Sequence, residues 1–412
     1  MASVRPVAPA FFPLDEHLAL LPGKLTPQLQ GWLIRLSTWM PFARAAEILT
    51  EFTQVPISEA TARRLTHAAG DAYVALQTEQ AVQIAQDYPT ASVQPDRVVV
   101  SADGAMVPLV HGVWAEVKTL AIGEPVAGGM PPDPHLGAIS YFSRLADAET
   151  FGQQALVEIQ RRGVLAAAEV AAVTDGAEWL QGFVDLHCDR ALRILDFAHA
   201  AQRVSALGHA VWGEGSDAAT AWVEKQLHTL KHEGPQAVLA AVRAQQARHP
   251  DREEFLEHLS YLEKRVAQMD YPAYQAAGWP IGSGMIESGN KLVVEARLKG
   301  SGMHWAREHV NAMLALRNIV CSDRWQEGWT QMQAQRRPRI GGRRQARQQR
   351  AQAAACATQQ ARLRAAAPPR VGTQGGGDAG GPGRPGPTHP WRRAFQPHMR
   401  DRKPTEPRSP KL

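Results

Sequence analysis

The segment WPIGSGMIESGNKLVVEARLKGSGMHW (Trp279–Trp305) joins a glycine-rich approach to a helical pattern. One proline and two glycines punctuate the approach, as is typical of a loop. From Ile286 to Lys299 only Gly289 disfavours a helix, and Gly300 is a good helix stop. The segment therefore predicts a loop that leads directly into a helix.

Charged residues cluster on this predicted helix. Glu287 lies in its first turn, and Lys291 follows on the same face. Arg297 and Lys299 add two further cations. A carboxylate that binds a metal ion, beside cations that bind a phosphate chain, produces such a pattern. The alternative is structural: Glu287 complements the helix dipole and pairs with Lys291.

Two further acids follow buried-type strands. The apolar run Arg97–Val107 contains Asp103-Gly104, and the run Glu169–Asp175 also leads into Asp-Gly. Two such carboxylates at neighbouring strand ends, joined by Glu287, would form a cluster without His or Cys. Oxygen ligands of this kind suit Mg²⁺ or Mn²⁺, which promote phosphodiester cleavage. Asp-Gly is also a common turn dipeptide, so the order strand–Asp, strand–Asp, helix–Glu carries the prediction.

A fourth acid, Asp196, closes the predicted strand Ala191–Asp196, and His199 lies one turn into the next helix. Asp196 can cap that helix, and it is the alternative to Asp175 as second metal ligand. A single histidine is most often structural; here His199 can also brace the cluster from behind the ligands.

The order of the predicted elements is three strands, a helix, a strand, a helix and a strand, followed by several helices. It predicts an α/β fold with a mixed sheet flanked by helices. Upstream, the helices Phe42–Phe52 and Glu59–Tyr73 have the layout of a helix-turn-helix. Thr61, Arg63 and Arg64 would then face DNA, whereas in an ordinary helix pair they would not.

These patterns divide the chain into six predicted parts. They are a flexible N-terminus (1–28), a helical DNA-binding region (29–92), the first part of a catalytic core (93–203), a helical insertion (204–278), the second part of the core with the Glu287 helix (279–330), and a basic low-complexity tail (331–412) expected to be disordered.

The charge of the chain is unevenly placed. From Arg336 onward there are 18 basic and 3 acidic residues, a net +15, against 27 basic and 37 acidic residues before it, a net −10. A basic tail suggests that the protein binds an acidic polymer such as nucleic acid. The alternative is that the tail is solvated and has no specific partner. The three cysteines form no zinc or disulfide pattern, and no apolar run approaches a membrane span. These features predict a soluble intracellular protein.

Five motifs together resemble a known family. They are Val100–Gly104 (VSADG), Val173–Ala177 (VTDGA), Leu195–Ala200 (LDFAHA), Pro280–Ser288 (PIGSGMIES) and Arg297–Trp305 (RLKGSGMHW). With them the chain resembles bacterial insertion-sequence transposases of the DDE class, particularly the ISKra-type group, which is related to Mutator-like transposases. The resemblance covers about residues 30–330, and the motif around Glu287 is the most specific.

The resemblance implies an RNase H-like core interrupted by the helical insertion. Asp103, Asp175 and Glu287 would be the catalytic triad that binds Mg²⁺ or Mn²⁺, with Asp196 and His199 as accessory residues. The implied activity is cleavage and strand transfer at the ends of a mobile element.

Partners and location follow from the same resemblance. The partners would be the terminal inverted repeats and target DNA, bound by a homo-oligomer in the bacterial cytoplasm at the nucleoid. Lys291, Arg297 and Lys299 would contact DNA beside the triad. The alternatives are a nuclease that cuts without joining, and a truncated, non-catalytic DNA-binding protein.

Overall fold

The computed structural model describes residues 25–126, 135–249 and 253–366. The predicted flexible N-terminus lies almost wholly outside these ranges, as do residues 367–412 of the predicted tail. The chain divides into two units, Met1–Gln348 and Gln349–Leu412. In the second unit, the described residues up to Ala366 are helical.

Three helices open the described chain: α1 (Pro27–Trp39), α2 (Phe42–Thr53) and α3 (Glu59–Asp87). Pro41 separates the first two, as predicted. Ser58 caps α3, because its side-chain oxygen accepts a hydrogen bond from the backbone N–H of Thr61. α3 extends well past the predicted end near Tyr73, since the sequence up to Asp87 has no proline and contains many strong helix formers.

Five strands form one mixed sheet, which confirms the predicted fold class at this level. The strands are β1 (Arg97–Pro108), β2 (Trp114–Pro125), β3 (Leu136–Arg144), β4 (Glu169–Thr174) and β5 (Leu192–Leu195). Their spatial order is β3-β2-β1-β4-β5. β1, β2 and β3 pair antiparallel, whereas β4 lies parallel to both β1 and β5.

The register of β1 against β4 places two of the predicted acids side by side. The last parallel pair is Val100 with Ala172, and Asp103 and Asp175 each lie three residues beyond it. Asp103 is not at a strand end, as the sequence suggested, because β1 continues as an antiparallel ladder with β2 as far as Pro108. The predicted closeness of these two residues therefore comes from the parallel register.

The remaining helices follow the sheet in chain order. They are α4 (Ala148–Arg161), α5 (Glu178–His187), α6 (Phe197–Trp212), α7 (Asp217–His232), α8 (Pro235–Gln246), α9 (Glu253–Lys264), α10 (Tyr271–Ala276), α11 (Gly284–Gly289), α12 (Ala296–Leu298), α13 (Arg307–Cys321) and α14 (Trp325–Ala366). Short 3-10 turns lie at Val110–Gly112, Val164–Ala166 and Val266–Gln268. In the part of the helical insertion that the structure describes, the only regular elements are helices.

The two faces of the sheet are buried by different helices. One face carries Val98, Val100 and Ala102 of β1 and packs against α4 and α5. The opposite face carries Val99, Ala105 and Val107 and packs against α6 and helices of the insertion. It also packs against residues 284–298, here called the Glu287 segment. Successive residues of a strand point to opposite faces, so β1 is apolar on both. Asp103 lies on the face that meets the Glu287 segment.

The Glu287 segment is helical but not uniform. α11 passes into a π-helical turn, Asn290–Glu295, before α12. The buried guanidinium of Arg317 on α13 donates hydrogen bonds to the carbonyls of Leu292 and Val293 in that turn. A side-chain donor from another helix thus stabilises the wide turn, which the sequence around Glu287 did not predict.

The N-terminal helices share a core with the end of the first unit. Leu33, Ala45 and Tyr73 belong to the same buried cluster as Leu316 of α13 and Trp329 of α14. The apolar faces of the predicted helical DNA-binding region are therefore buried by helices that follow Glu287.

The first part of the predicted tail is helical. Residues 331–366 belong to α14, so the prediction of disorder is wrong for these residues. Alanine, arginine and glutamine dominate this stretch, and all three favour a helix. Among the helices that the structure describes, none combines the length and apolarity that crossing a membrane requires.

Candidate active site

The Asp103 carboxylate is partly buried on the sheet face beneath the Glu287 segment. Its Oδ1 accepts a hydrogen bond from the backbone N–H of Gly104 at 2.6 Å. Burial raises the pKa of the Asp103 carboxyl above its usual range, and the negative charge of Asp175 raises it further. The Gly104 N–H, His199 and Asn290 act in the opposite direction. A cation bound beside Asp103 would relieve this unfavourable ionisation of its carboxyl.

Asp175 follows β4 directly, in a loop of residues 175–177, here called the Asp175 loop. Its Oδ1 accepts a hydrogen bond from the backbone N–H of Ala177 at 2.8 Å. Asp175 raises the pKa of the Asp103 carboxyl electrostatically, and both aspartates lie three residues beyond the last parallel pair of β1 and β4.

Asn290 connects the Glu287 segment to the sheet. Its Nδ2 donates to Oδ2 of Asp103 at 3.0 Å, while its Oδ1 is buried without a hydrogen-bond partner. The residue is only 6% exposed. An unpaired buried oxygen beside a carboxylate is costly, and a hard cation would satisfy it. Asp103 and Asp175 supply carboxylate oxygens of the kind that Mg²⁺ or Mn²⁺ prefers.

Glu287 is placed differently from the two aspartates. It lies one turn before Asn290 on α11, and α11 packs on β1 and β2, but its side chain is exposed. Among the residues that the structure describes, no three His, Cys, Asp or Glu side chains are close enough to hold one metal ion. The predicted three-carboxylate cluster is therefore not assembled in this structure, and Glu287 as the third ligand stays a prediction.

Asp196 has a structural position. Its carboxylate is 1% exposed and caps α6, accepting hydrogen bonds from the N–H groups of Ala198 and His199. Its other oxygen accepts from the N–H of Ser283 at the entry to the Glu287 segment. Asp175, unlike Asp196, lies in register with Asp103 beyond the parallel ladder of β1 and β4, so the geometry favours Asp175 as the second ligand. Asp196 fixes the Glu287 segment relative to the sheet, and His199 is half-buried near Asp103.

The cations predicted to contact DNA divide into buried and exposed groups. Arg297 is 2% exposed, donates to the carbonyl of Ser37 at 2.9 Å, and lies over the rings of Phe42 and Trp305. The prediction that Arg297 contacts DNA is therefore wrong for this structure, because its guanidinium ties the Glu287 segment to the N-terminal helices. Lys291 is exposed, and Lys299 is exposed but paired with Glu295 at 2.7 Å.

The residues predicted to contact DNA on α3 lie in its first two turns. Arg63 and Arg64 are exposed. Thr61 is half-buried, and its hydroxyl lies 3.0 Å from that of Ser58 at the helix cap. The two arginines can thus reach a phosphate backbone, whereas Thr61 takes part in the cap.

A cleft of about 320 Å³ lies beside Asp175. It lies between α6 and α9 and is lined by Asp175, Ala177, His199, Gln202, Arg203, His258 and Tyr261. Tyr261 and the following Arg265 contact the Asp175 loop. The sequence could not reveal these residues, or Asn290, because each meets its partner across more than 80 residues.

No protein-family model matches this chain, and no curated protein matches it significantly.

Proposed function

We propose that the protein is a DDE-class DNA transposase with an RNase H-like core. The observation that carries the proposal is the placement of Asp103 and Asp175 beyond the parallel ladder of two adjacent strands, with the Glu287 segment joined to Asp103 by Asn290. The mixed five-stranded sheet with helices on both faces is compatible with such a core and supports the proposal.

The carboxylates of Asp103 and Asp175 suit metal-dependent cleavage of a phosphodiester. When bound, divalent ions would activate the attacking water or 3′-hydroxyl and stabilise the leaving oxygen. Asp103 and Asp175 would hold these ions, and Glu287 would complete their coordination from the exposed face of α11. Asn290 keeps the Asp103 carboxylate oriented by its hydrogen bond.

DNA would be bound by exposed cations outside the pair. Arg63 and Arg64 on α3, and Lys291 beside Glu287, are exposed and carry the charge that a phosphate backbone requires. Two element ends have to be joined in one reaction, so we propose that the protein acts as a homo-oligomer on DNA.

The test uses the full chain and a labelled DNA that carries the terminal repeats of the element. We expect Mg²⁺-dependent cleavage and joining by the wild type. Asp103→Asn, Asp175→Asn and Glu287→Gln should each bind this DNA normally and lose at least about 100-fold in cleavage rate. Asp196→Asn should instead lower stability, because an amide has one acceptor oxygen and cannot accept both from the N–H groups of α6 and from the N–H of Ser283.

Other results of this experiment would indicate a different activity. Cleavage without strand-transfer products would indicate a nuclease of the same fold. Binding without cleavage, with Mg²⁺ and with Mn²⁺, would indicate a non-catalytic DNA-binding protein and contradict the proposal. Normal cleavage by Glu287→Gln would show that Glu287 is not a ligand of the catalytic metal ions.

A further inference from the structure

The Asp175 loop is held mainly from the helical insertion. β4 ends at Thr174, so the loop lies beyond the hydrogen-bonded ladder of the sheet. The Tyr261 hydroxyl donates a hydrogen bond to the carbonyl of Asp175. Nε of Arg265 donates to the carbonyl of Gly176 at 3.0 Å, and Nη2 of the same guanidinium donates to it as well. Two side chains thus fix two successive carbonyls of the loop.

These two side chains are themselves held in place. The guanidinium carbon of Arg265 lies 3.9 Å from the centroid of the Tyr261 ring, and that of Arg203 on α6 lies 4.4 Å from it. Nη1 of Arg265 also donates to the Tyr261 carbonyl at 3.2 Å. Stacked guanidinium groups restrict the rotamers of the tyrosine, so its hydroxyl is pre-positioned for the Asp175 carbonyl.

Gly176 fits closely against this arrangement. Its φ of +80° is a conformation that glycine adopts readily. A Cβ atom at this position would lie 2.5 Å from Nε of Arg265 and 2.7 Å from the Tyr261 hydroxyl. Any larger residue would therefore displace the two side chains that hold the loop.

The position of the loop determines the direction of the Asp175 carboxylate. That carboxylate accepts its hydrogen bond from Ala177, inside the same loop. We infer that Tyr261 and Arg265 are positioning residues for Asp175, so that the helical insertion sets the geometry of the divalent-metal site. The inference rests on the proposed function, because it concerns how the aspartate is presented to the metal.

The experiment compares Tyr261→Phe, Arg265→Gln and Gly176→Ala in the full chain. Arg265→Lys tests conservative rescue, and Arg243→Gln is the matched control, since Arg243 faces Glu263 in the same part of the insertion but is exposed. Three quantities are measured: Mn²⁺ affinity without DNA by electron paramagnetic resonance, the Mg²⁺ concentration for half-maximal cleavage, and the free energy of unfolding. Asp175→Asn calibrates the loss of Mn²⁺ binding.

We expect Tyr261→Phe, Arg265→Gln and Gly176→Ala to weaken Mn²⁺ binding about tenfold, as loss of groups that orient metal ligands commonly does. The Mg²⁺ concentration for half-maximal cleavage should rise by a similar factor, with partial recovery in Arg265→Lys and wild-type values in Arg243→Gln. Faster amide hydrogen exchange in the peptide that contains Ala177 should accompany the change.

Two results would overturn the inference in distinguishable ways. If the three variants unfold more easily but keep wild-type Mn²⁺ affinity and Mg²⁺ dependence, Tyr261 and Arg265 only stabilise the fold. If the wild type itself neither binds Mn²⁺ through Asp175 nor cleaves DNA, the proposed function fails, and the positioning role fails with it.

Discussion

Asn290 is the residue on which the geometry at Asp103 depends most directly. It is buried, it bonds the aspartate at 3.0 Å, and it stands one turn after Glu287. The sequence identified Glu287 from its neighbours in the chain, but Asn290 gave no signal, because its partner lies 187 residues earlier. Local charge patterns thus reveal acids and cations, whereas neutral side chains that orient them depend on tertiary contacts.

Replacing Asn290 by leucine should raise the pKa of the Asp103 carboxyl and make DNA cleavage more sensitive to acid. Asn290 donates to the ionised form and so holds the pKa of Asp103 down, against the burial and the Asp175 charge that raise it. Its loss should move the acidic limb of the pH–rate profile for DNA cleavage to higher pH.

A matched control exists on α13. Asn318 is equally buried and bonds the backbone of Ser143, on β3. Asn318→Leu should lower stability without moving the acidic limb. An unchanged limb in Asn290→Leu would contradict an orienting role for Asn290.

At the scale of single elements, the sequence predicted most of the sheet and many of the helices. The runs of β-branched residues in β1 and β4 and the capping residues Ser58 and Asp196 are local signals. The π-helical turn Asn290–Glu295 was not predicted, because it depends on Arg317 of another helix. The length of α3 was also missed, and so was the helical start of the predicted tail, because the composition of the tail alone was read as loss of order.

Arg317→Met should destabilise the protein by about 2–4 kcal/mol, measured by urea denaturation. Arg317 is fully buried and donates to the carbonyls of Leu292, Val293 and Thr38. Methionine fills a similar volume but leaves these carbonyls without a donor. Arg243→Met, at an exposed position, should change stability by less than about 0.5 kcal/mol. A loss below about 1 kcal/mol in Arg317→Met would show that the π-helical turn does not need this donor.

For the whole molecule, the N-terminal helices and the core behave as one folded unit. The imidazole rings of His67 on α3 and His309 on α13 stack with their centroids 3.8 Å apart, where the two regions meet. The sequence predicted a separate DNA-binding region because helix-turn-helix patterns are local. It did not predict that α13 and α14 bury the apolar faces of those helices.

The burial of histidines should make this unit sensitive to acid. Burial, with the charges of His309, Arg63 and Arg297, lowers the pKa of His67 to about 4, and burial lowers the pKa of His187 to about 4. Because the unfolded chain binds these protons near pH 6.5, stability is present above that pH and is lost as the pH falls from about 6.5 to about 4. At pH 5 each histidine should cost about 2 kcal/mol relative to pH 7.5, measured by urea denaturation at both values. His187→Gln should lower this pH-dependent loss by about 2 kcal/mol, whatever its effect at pH 7.5. The same loss in His187→Gln and in the wild type would mean that His187 is not the group that titrates.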